Sequence, residues 1–95
     1  MANETLNPYK NKERYVMNEN LIALNTIPVG AFAKVKQLIS QGGARRRLLD
    51  LGLIRDTIVE SLRKSPAGDP IAYQIRGTVI ALRSEEASNI LVELV

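Results

Sequence analysis

The chain has 95 residues, a formal net charge of +3, and 45% hydrophobic and 24% charged residues, which is typical of one small soluble domain. It contains no histidine and no cysteine. Disulfides, thiolate or imidazole metal ligands, thiol nucleophiles and histidine-dependent catalytic triads are therefore excluded. There is no run of about 18 apolar residues that would span a membrane and no apolar core of a signal peptide, so the sequence predicts a cytosolic protein.

The polar first 20 residues contrast with the rest of the chain. Five asparagines and little hydrophobic periodicity over residues 1–20 predict a flexible tail, and the folded domain is predicted over 21–95. The charge within that domain is uneven: residues 34–83 hold ten basic and four acidic side chains, whereas 84–95 hold three acidic side chains and no basic one. A basic middle either keeps a domain soluble or attracts an acidic partner, which is nucleic acid or a protein surface.

The stretch AFAKVKQLI predicts the first long strand. Ala33, Val35 and Ile39 alternate onto one face, and the two lysines share the other, which is typical of a half-buried strand. Gln37 is the exception, because the same alternation puts its polar side chain on the inner face.

The stretch GGARRRLLDLGL predicts a short helix over residues 44–51, after two glycines that break the chain. Gly52 follows where a left-handed residue ends a helix, and Leu53 is expected to pack back onto the helix. One apolar stripe consists of Ala44, Leu48 and Leu51.

Three arginines give this helix an unusual charge pattern. Arg45, Arg46 and Arg47 are predicted at the helix start, where the macrodipole is already positive, and Asp50 lies near its negative end. Each placement costs an isolated helix about 0.3–1 kcal/mol at most. We therefore expect the arginines to contact an acidic surface. The alternative is a solvated face whose arginine stems cover apolar surface.

Further strands and a second helix are predicted after this point. A turn at Arg55-Asp56 leads into TIVESLRKS, whose β-branched residues favour a strand, and the loop SPAGDP separates it from the next strand. The stretches IAYQIR and TVIALR flank Gly77 as a hairpin. Ser84 is expected to cap a short helix, and LVELV is the last strand. The inner face of the first hairpin strand consists of Ile71, Tyr73 and Ile75.

The predicted fold class is mainly β, with about five short strands and two short helices. Two short helices cannot cover the faces of a flat sheet that has this many strands. A small closed or nearly closed barrel buries the core and also removes the exposed strand edges.

Few residues of the chain have the chemistry that catalysis requires. No stretch matches the phosphate-binding motif GxxxxGK[ST], and GGARRR lacks the residues that would complete a phosphate loop. The scattered carboxylates are expected to cap helices or face solvent. We predict no catalytic residue, no cofactor and no metal site. Single-stranded nucleic acid also needs stacking aromatics, and the domain offers only Phe32 and a core Tyr73, so nucleic acid is the less favoured partner.

Three segments in order, RRRLLDLGL, SPAGDP and IRGTVIALRSEEASNI, resemble the FeoA family of small cytosolic accessory proteins of bacterial ferrous-iron uptake. The resemblance runs from residue 24 to about residue 94 and implies an SH3-like barrel. It also implies a partner, the FeoB-type membrane transporter with its cytosolic GTPase domain, which would recruit the cytoplasmic protein to the inner face of the membrane. The same module is similar to the C-terminal domain of DtxR-type iron-dependent repressors. No DNA-binding domain precedes it here, which favours the accessory role.

The sequence departs from the family pattern at two places. The turn after the first helix usually carries Pro-Gly, and here it is Arg55-Asp56. Aspartate tolerates left-handed geometry, so the turn is expected to survive. The polar N-terminal tail is also longer than is usual in the family.

The resulting expectation is a non-catalytic binding module, with a monomer favoured. Arg45, Arg46 and Arg47 are the expected contact to the transporter, while Gly52 and Gly77 are expected to fix a helix cap and a turn. The alternative is a nucleic-acid-binding or transcription-regulator-associated module that uses the basic middle of the chain.

Overall fold

The structure is a computed structural model, and it describes residues 20–95. The tail predicted over residues 1–20 therefore lies, apart from Asn20, outside the described residues. No helix among the described residues is both long enough and apolar enough to cross a bilayer.

In a single sheet of six antiparallel strands, the first strand of the chain pairs with the sixth, the sixth pairs with the second, and the second to fifth follow in chain order. The mainly β fold class with two short helices is confirmed, with a two-residue strand and a 3₁₀ turn added before the first predicted strand. In chain order the elements are β1 (Ile22–Ala23), the 3₁₀ turn (Leu24–Thr26), β2 (Phe32–Leu38), α1 (Gly42–Asp50), β3 (Ile58–Lys64), β4 (Ile71–Ile75), β5 (Thr78–Leu82), α2 (Ser84–Ala87) and β6 (Ile90–Leu94).

Strand β2 contains a β-bulge that the sequence did not reveal. Val35 lies opposite Val92, but Gln37 lies opposite Leu91, so two steps along β2 match one step along β6. The extra residue reverses the alternation of side chains beyond it. Gln37 is exposed for this reason, and Ile39 is 50% exposed, so their predicted inner-face positions are wrong.

A second bulge, between Ser61 and Arg63 of β3, acts with the first to curve the sheet. Bulges bend a strand and increase its local twist. The sheet is thereby curved around one core, to which α1, α2 and the 3₁₀ turn each contribute a buried residue. The buried core consists of Leu24, Ile27, Ala33, Val35, Leu48, Leu53, Val59, Ile71, Tyr73, Ile75, Leu82, Ala87, Ile90 and Val92.

The β4–β5 hairpin follows the predicted alternation closely. Ile71, Tyr73 and Ile75 are buried, and Ile75 pairs with Thr78 across a two-residue turn. Both turn residues, Arg76 and Gly77, have positive φ, at 51° and 84°. Positive φ at both central residues defines a type I′ turn, whose twist suits a hairpin.

Helix α2 begins differently from the prediction. Its N-cap residue is Arg83, and Ser84 is its first helical residue, so the prediction that Ser84 caps the helix is wrong. The Ser84 N–H donates to Asp69 Oδ1 at 2.8 Å, and the Arg83 N–H donates to Glu86 Oε1 at 3.0 Å. Carboxylates therefore bind the N–H groups that begin this helix, which complements the macrodipole.

Candidate partner interface

Helix α1 begins two residues earlier than predicted, and this changes where the arginines lie. Gly42 and Gly43 form its first turn, with Gly42 at φ +61°, and the Arg45 N–H donates to the Gln41 carbonyl. Arg45 is thus the fourth helical residue and Arg47 lies in the last turn. The macrodipole acts mainly on the first and last turns, and it favours a cation in the last one. The expectation that all three arginines lie at an unfavourable helix start is therefore wrong.

The C-terminal end of α1 is a Schellman motif that fixes the chain after the helix. The Leu53 N–H donates to Leu48 O and the Gly52 N–H donates to Leu49 O, both at 3.0 Å. Gly52 has φ +104°, and both Leu48 and Leu53 are buried. A Cβ at Gly52 would lie 3.5 Å from Arg76 Cδ, an ordinary contact. The backbone conformation, and not lack of space, requires glycine here.

Arg47 is part of an ion pair that joins the two helices. Its Nη1 contacts Glu86 Oε2, and the other Glu86 oxygen accepts the Arg83 N–H. This exposed ion pair links the last turn of α1 to the first turn of α2. Ala44, predicted to be on the buried stripe, is exposed, whereas Leu48 is buried and Leu51 is half-buried.

The other two arginines project in different directions. Arg45 Nη1 donates to Leu38 O at 3.2 Å, which places its guanidinium at the end of β2. Arg46 is exposed and has no hydrogen-bonding or ionic partner among residues 20–95. Consecutive helical residues do not face one another. The structure therefore separates the three predicted contact residues and does not gather them into one patch.

A groove of about 380 Å³ lies between β2 and α1 and is defined here as the β2–α1 groove. Its accessible aliphatic surface comes from Leu38 and Leu49, and its charged side chains are all basic. Sequence reasoning found Arg45 but missed Lys36 and Arg55, because Lys36 looked like an ordinary outer-face lysine and Arg55 like a turn residue. The lining residues are Val35, Lys36, Gln37, Leu38, Arg45, Leu49, Leu53 and Arg55.

The Arg55-Asp56 turn supports one side of this groove. Asp56 has φ 72°, and the Thr57 N–H donates to Ile54 O at 3.1 Å, so the left-handed residue is the third of a four-residue turn. The Asp56 N–H also donates to Val35 O at 2.7 Å. Aspartate thus replaces glycine at a position that needs positive φ, as the sequence predicted for this turn.

The pKa of the Asp56 carboxyl reflects the positive charges around it. Its Oδ1 lies 2.9 Å from Lys36 Nζ, and this hydrogen bond, with the charges of Lys36, Arg55 and Lys34, holds the pKa of the Asp56 carboxyl below its ordinary value. Desolvation of the carboxyl, which ranks after the Lys36 hydrogen bond and before these charges, acts in the opposite direction. Three cations around one carboxylate make this side of the molecule basic.

A second, shallower hollow of about 420 Å³ continues the basic surface beyond Arg55. Ile54 and Ile58 line it and are 42% and 43% exposed, and Arg76 closes its far side. Exposed aliphatic side chains next to cations are typical of a protein-binding surface.

The described residues 20–95 contain no group of three or more acidic side chains that could hold a metal ion.

The comparison with known proteins matches the described fold. The FeoA domain family matches residues 22–94. A fusion of Fe(2+) transport protein A and Fe(2+) transporter FeoB from Porphyromonas gingivalis is 29% identical over 72 residues, which are 76% of this chain and 8% of the fusion protein. The chain therefore spans less than a tenth of that relative.

Solved structures show the same fold. An NMR structure of a FeoA-like protein from Clostridium acetobutylicum is 37% identical, with a TM-score of 0.75 over 80% of this chain and 88% of the other. The zinc complex of FeoA from Stenotrophomonas maltophilia, described as a prokaryotic SH3 domain protein, is 29% identical, with a TM-score of 0.68 over 76% and 89%. A manganese-dependent transcriptional repressor, 18% identical with a TM-score of 0.71 over 79% and 42%, shares the fold alone.

Proposed function

The chain belongs to the FeoA family, and on that premise we propose that it is a non-catalytic accessory module of ferrous iron uptake. It acts by direct contact with the cytosolic GTPase domain of a FeoB-type membrane transporter. The protein is cytoplasmic and monomeric, and this contact brings it to the inner face of the membrane.

The observation that carries the proposal is the fusion in the Porphyromonas gingivalis relative, in which an A-type and a B-type transport protein form one polypeptide. Covalent linkage keeps two modules at a high effective concentration, so even a weak contact between them is populated. A separate chain needs a recognition surface to reach the same partner. The basic surface around α1 and β2 is a suitable one, because rim charges steer an acidic partner and fix its orientation.

The three arginines have different roles in this proposal. Arg46 is exposed and available to a partner, and Arg45 reaches one with the guanidinium donors that Leu38 O does not use. Arg47 forms an ion pair with Glu86, so it would have to exchange that pair before it could contact a partner. Arg45 and Arg46 therefore contribute more to the contact than Arg47.

The nucleic-acid alternative gains little from the described residues. The repressor similarity concerns the fold alone, and Tyr73 is fully buried. Phe32 is the other aromatic residue of 20–95, and one half-exposed ring does not make the stacking platform that single strands require.

The test is the affinity of the full chain for the isolated cytosolic part of the FeoB-type transporter, measured at low and at high salt. We expect binding that weakens as salt rises, because screening reduces attraction between exposed charges. The double variant Arg45→Glu/Arg46→Glu should bind more weakly. A matched control, Arg63→Glu/Lys64→Glu on β3, makes the same change in net charge outside the β2–α1 groove and should bind like the parent.

Absence of binding at both salt concentrations would overturn the proposed partner. If the Arg45→Glu/Arg46→Glu variant binds as tightly as the parent at both salt concentrations, Arg45 and Arg46 form only a solvated face.

A further inference from the structure

We propose that the β2–α1 groove binds a short acidic segment with an aliphatic anchor residue, and that Lys36, Arg45 and Arg55 are its charge-recognising residues. The inference rests on the proposed function in that it specifies which segment of the partner makes the contact. The proposed site differs from the run of three arginines, because two of its three cationic side chains come from elements outside helix α1.

The aliphatic lining of the groove explains the aliphatic anchor. Val35 and Leu53 lie beneath the groove and pack in the core, and at 1% and 0% exposure they support it without offering surface themselves. The accessible aliphatic surface comes from half-buried Leu38 and from Leu49. Leu49 is 37% exposed. A leucine, isoleucine or valine side chain that covered Leu49 would remove apolar area from water on both partners.

The rim of the groove explains the acidic flanks. Lys36 belongs to β2, Arg45 to α1 and Arg55 to the loop after α1, so the cations approach the groove from three elements. No acidic side chain lines the groove. The nearby Asp56 is 59% exposed and holds Lys36 in place, and an exposed pair of this kind is weak enough to be exchanged for a partner's carboxylate.

Arg45 is particularly suited to such a contact. The Leu38 carbonyl accepts one hydrogen bond from Arg45 Nη1, at 3.2 Å, and the remaining guanidinium N–H groups are left for a partner. A guanidinium in this state binds a carboxylate through parallel hydrogen bonds. Leu38 itself also lines the groove, so the apolar and charged parts of the site are joined through one residue.

An acidic peptide fits the groove better than nucleic acid does. None of the lining residues is aromatic, so bases have no ring to stack on. The volume of about 380 Å³ lies near the lower end of the range for ligand pockets, which suits a short peptide segment.

The first experiment uses the isotope-labelled full chain and three capped ten-residue peptides. The first peptide consists of glutamate with two central leucines, the second has serine in place of leucine, and the third has glutamine in place of glutamate. We expect the first peptide to shift the backbone amide signals of Lys36, Leu49 and Arg55. The other two should bind at least about fivefold more weakly, because each lacks one half of the recognised chemistry.

The charge-recognising residues are tested in the same titration. The variant Arg45→Glu/Arg55→Glu should bind the first peptide at least about tenfold more weakly, and Arg63→Glu/Lys64→Glu should bind it like the parent. A neutral variant, Lys36→Gln/Arg55→Gln, gives the same readout should the charge reversal unfold the chain. Thermal melting checks that each variant is folded.

Three outcomes overturn the inference. In the first, the acidic leucine peptide shifts no amide signal of the groove residues. In the second, the groove variant and the control variant bind that peptide equally well. In the third, a thymidine oligonucleotide shifts the same amide signals more strongly than the peptide does. The transporter measurement is separate. If the peptide binds the groove but the transporter's cytosolic part does not bind the chain, the groove chemistry stands and the proposed partner is wrong.

Discussion

Strands β4 and β2 both show alternating apolar residues, but only β4 folds as its sequence predicts. Ile71, Tyr73 and Ile75 of β4 are all buried, whereas the alternation in β2 ends at the bulge after Val35. A bulge is a property of the pairing between two strands, and the sequence of one strand does not show it. The groove proposed to bind the partner lies beside this irregular strand, and the regular strand β4 belongs to the stable core.

The largest expected effect on stability distinguishes Ile75 from Ile39, two isoleucines that the sequence places on the inner face of a strand. Ile75→Ala should lower the free energy of unfolding by about 2–5 kcal/mol, because it leaves a cavity in a packed core. Ile39→Ala should change it by less than about 0.5 kcal/mol, because Ile39 is half exposed beyond the bulge. Denaturant melts of both variants measure the difference. Equal losses would show that the bulge is misplaced.

The next effect concerns the pH dependence of Tyr73 in β4. Its side chain is buried, and burial, helped by the charge of Asp69, raises the pKa of its hydroxyl to about 12 from the ordinary 10.0. The folded state therefore keeps the proton longer than the unfolded state does. The contribution of Tyr73 to the free energy of unfolding is fully present below pH 10. It is lost as the pH rises from 10 towards 12, by at most about 2–3 kcal/mol.

Tyr73→Phe is the matched control for this alkaline loss. The Tyr73 hydroxyl has no hydrogen-bond partner within residues 20–95, so its removal should leave neutral-pH stability unchanged or slightly higher. Thermal melts between pH 8 and 12 should show a smaller alkaline decrease in the variant. The same decrease in both proteins would assign it to other groups.

A smaller effect is expected at the end of α1. Gly52→Val should destabilise the domain by at least about 1–2 kcal/mol, because a β-branched residue is strained at φ +104°. Gly43→Ala, in the first turn of the same helix and without positive φ, should stabilise it by about 0.5–1 kcal/mol. An unchanged melting temperature for Gly52→Val would show that the Schellman motif contributes little.

The smallest effect on stability is expected on the basic surface. Asp56→Asn keeps a residue that tolerates left-handed φ and removes only the charge. Because folding lowers the pKa of the Asp56 carboxyl, the charged carboxylate stabilises the folded state at pH values above the ordinary pKa, and this contribution is lost as the pH falls below it. The variant has no carboxyl and should lack this pH-dependent contribution. Because the groove becomes more positive, the variant should bind the acidic leucine peptide more tightly than the parent. Weaker binding would mean that Asp56 is needed to position Lys36.

The parts of the fold that depend on local sequence were predictable. The hairpin follows from the two alternating stretches around Gly77, and the left-handed turn follows from Asp56, a residue type that tolerates positive φ. The positive φ of Arg76 had no signal in the sequence. The number of short strands predicted a small barrel, and the resemblance implied that it is SH3-like, which is how the Stenotrophomonas maltophilia FeoA structure is described.

The site was less predictable because it is built from contacts between distant segments. The start of α1 was misplaced, since the two glycines that usually break a helix form its first turn. Arg47 looked equivalent to its neighbours, and only the position of Glu86, 39 residues away, shows that it is bound within the molecule. Lys36 and Arg55 join Arg45 only once β2 and the loop after α1 are brought together.

The central claim is that the β2–α1 groove and the basic residues around it bind the partner. Hydrogen exchange of the full chain tests this claim most directly. Exchange is measured with and without the cytosolic part of the FeoB-type transporter. The account predicts slower exchange at the amides of Lys36, Leu38, Leu49 and Arg55 when the partner is present, with the β4–β5 hairpin unchanged. Slower exchange confined to the hairpin, with no change around the groove, would contradict it.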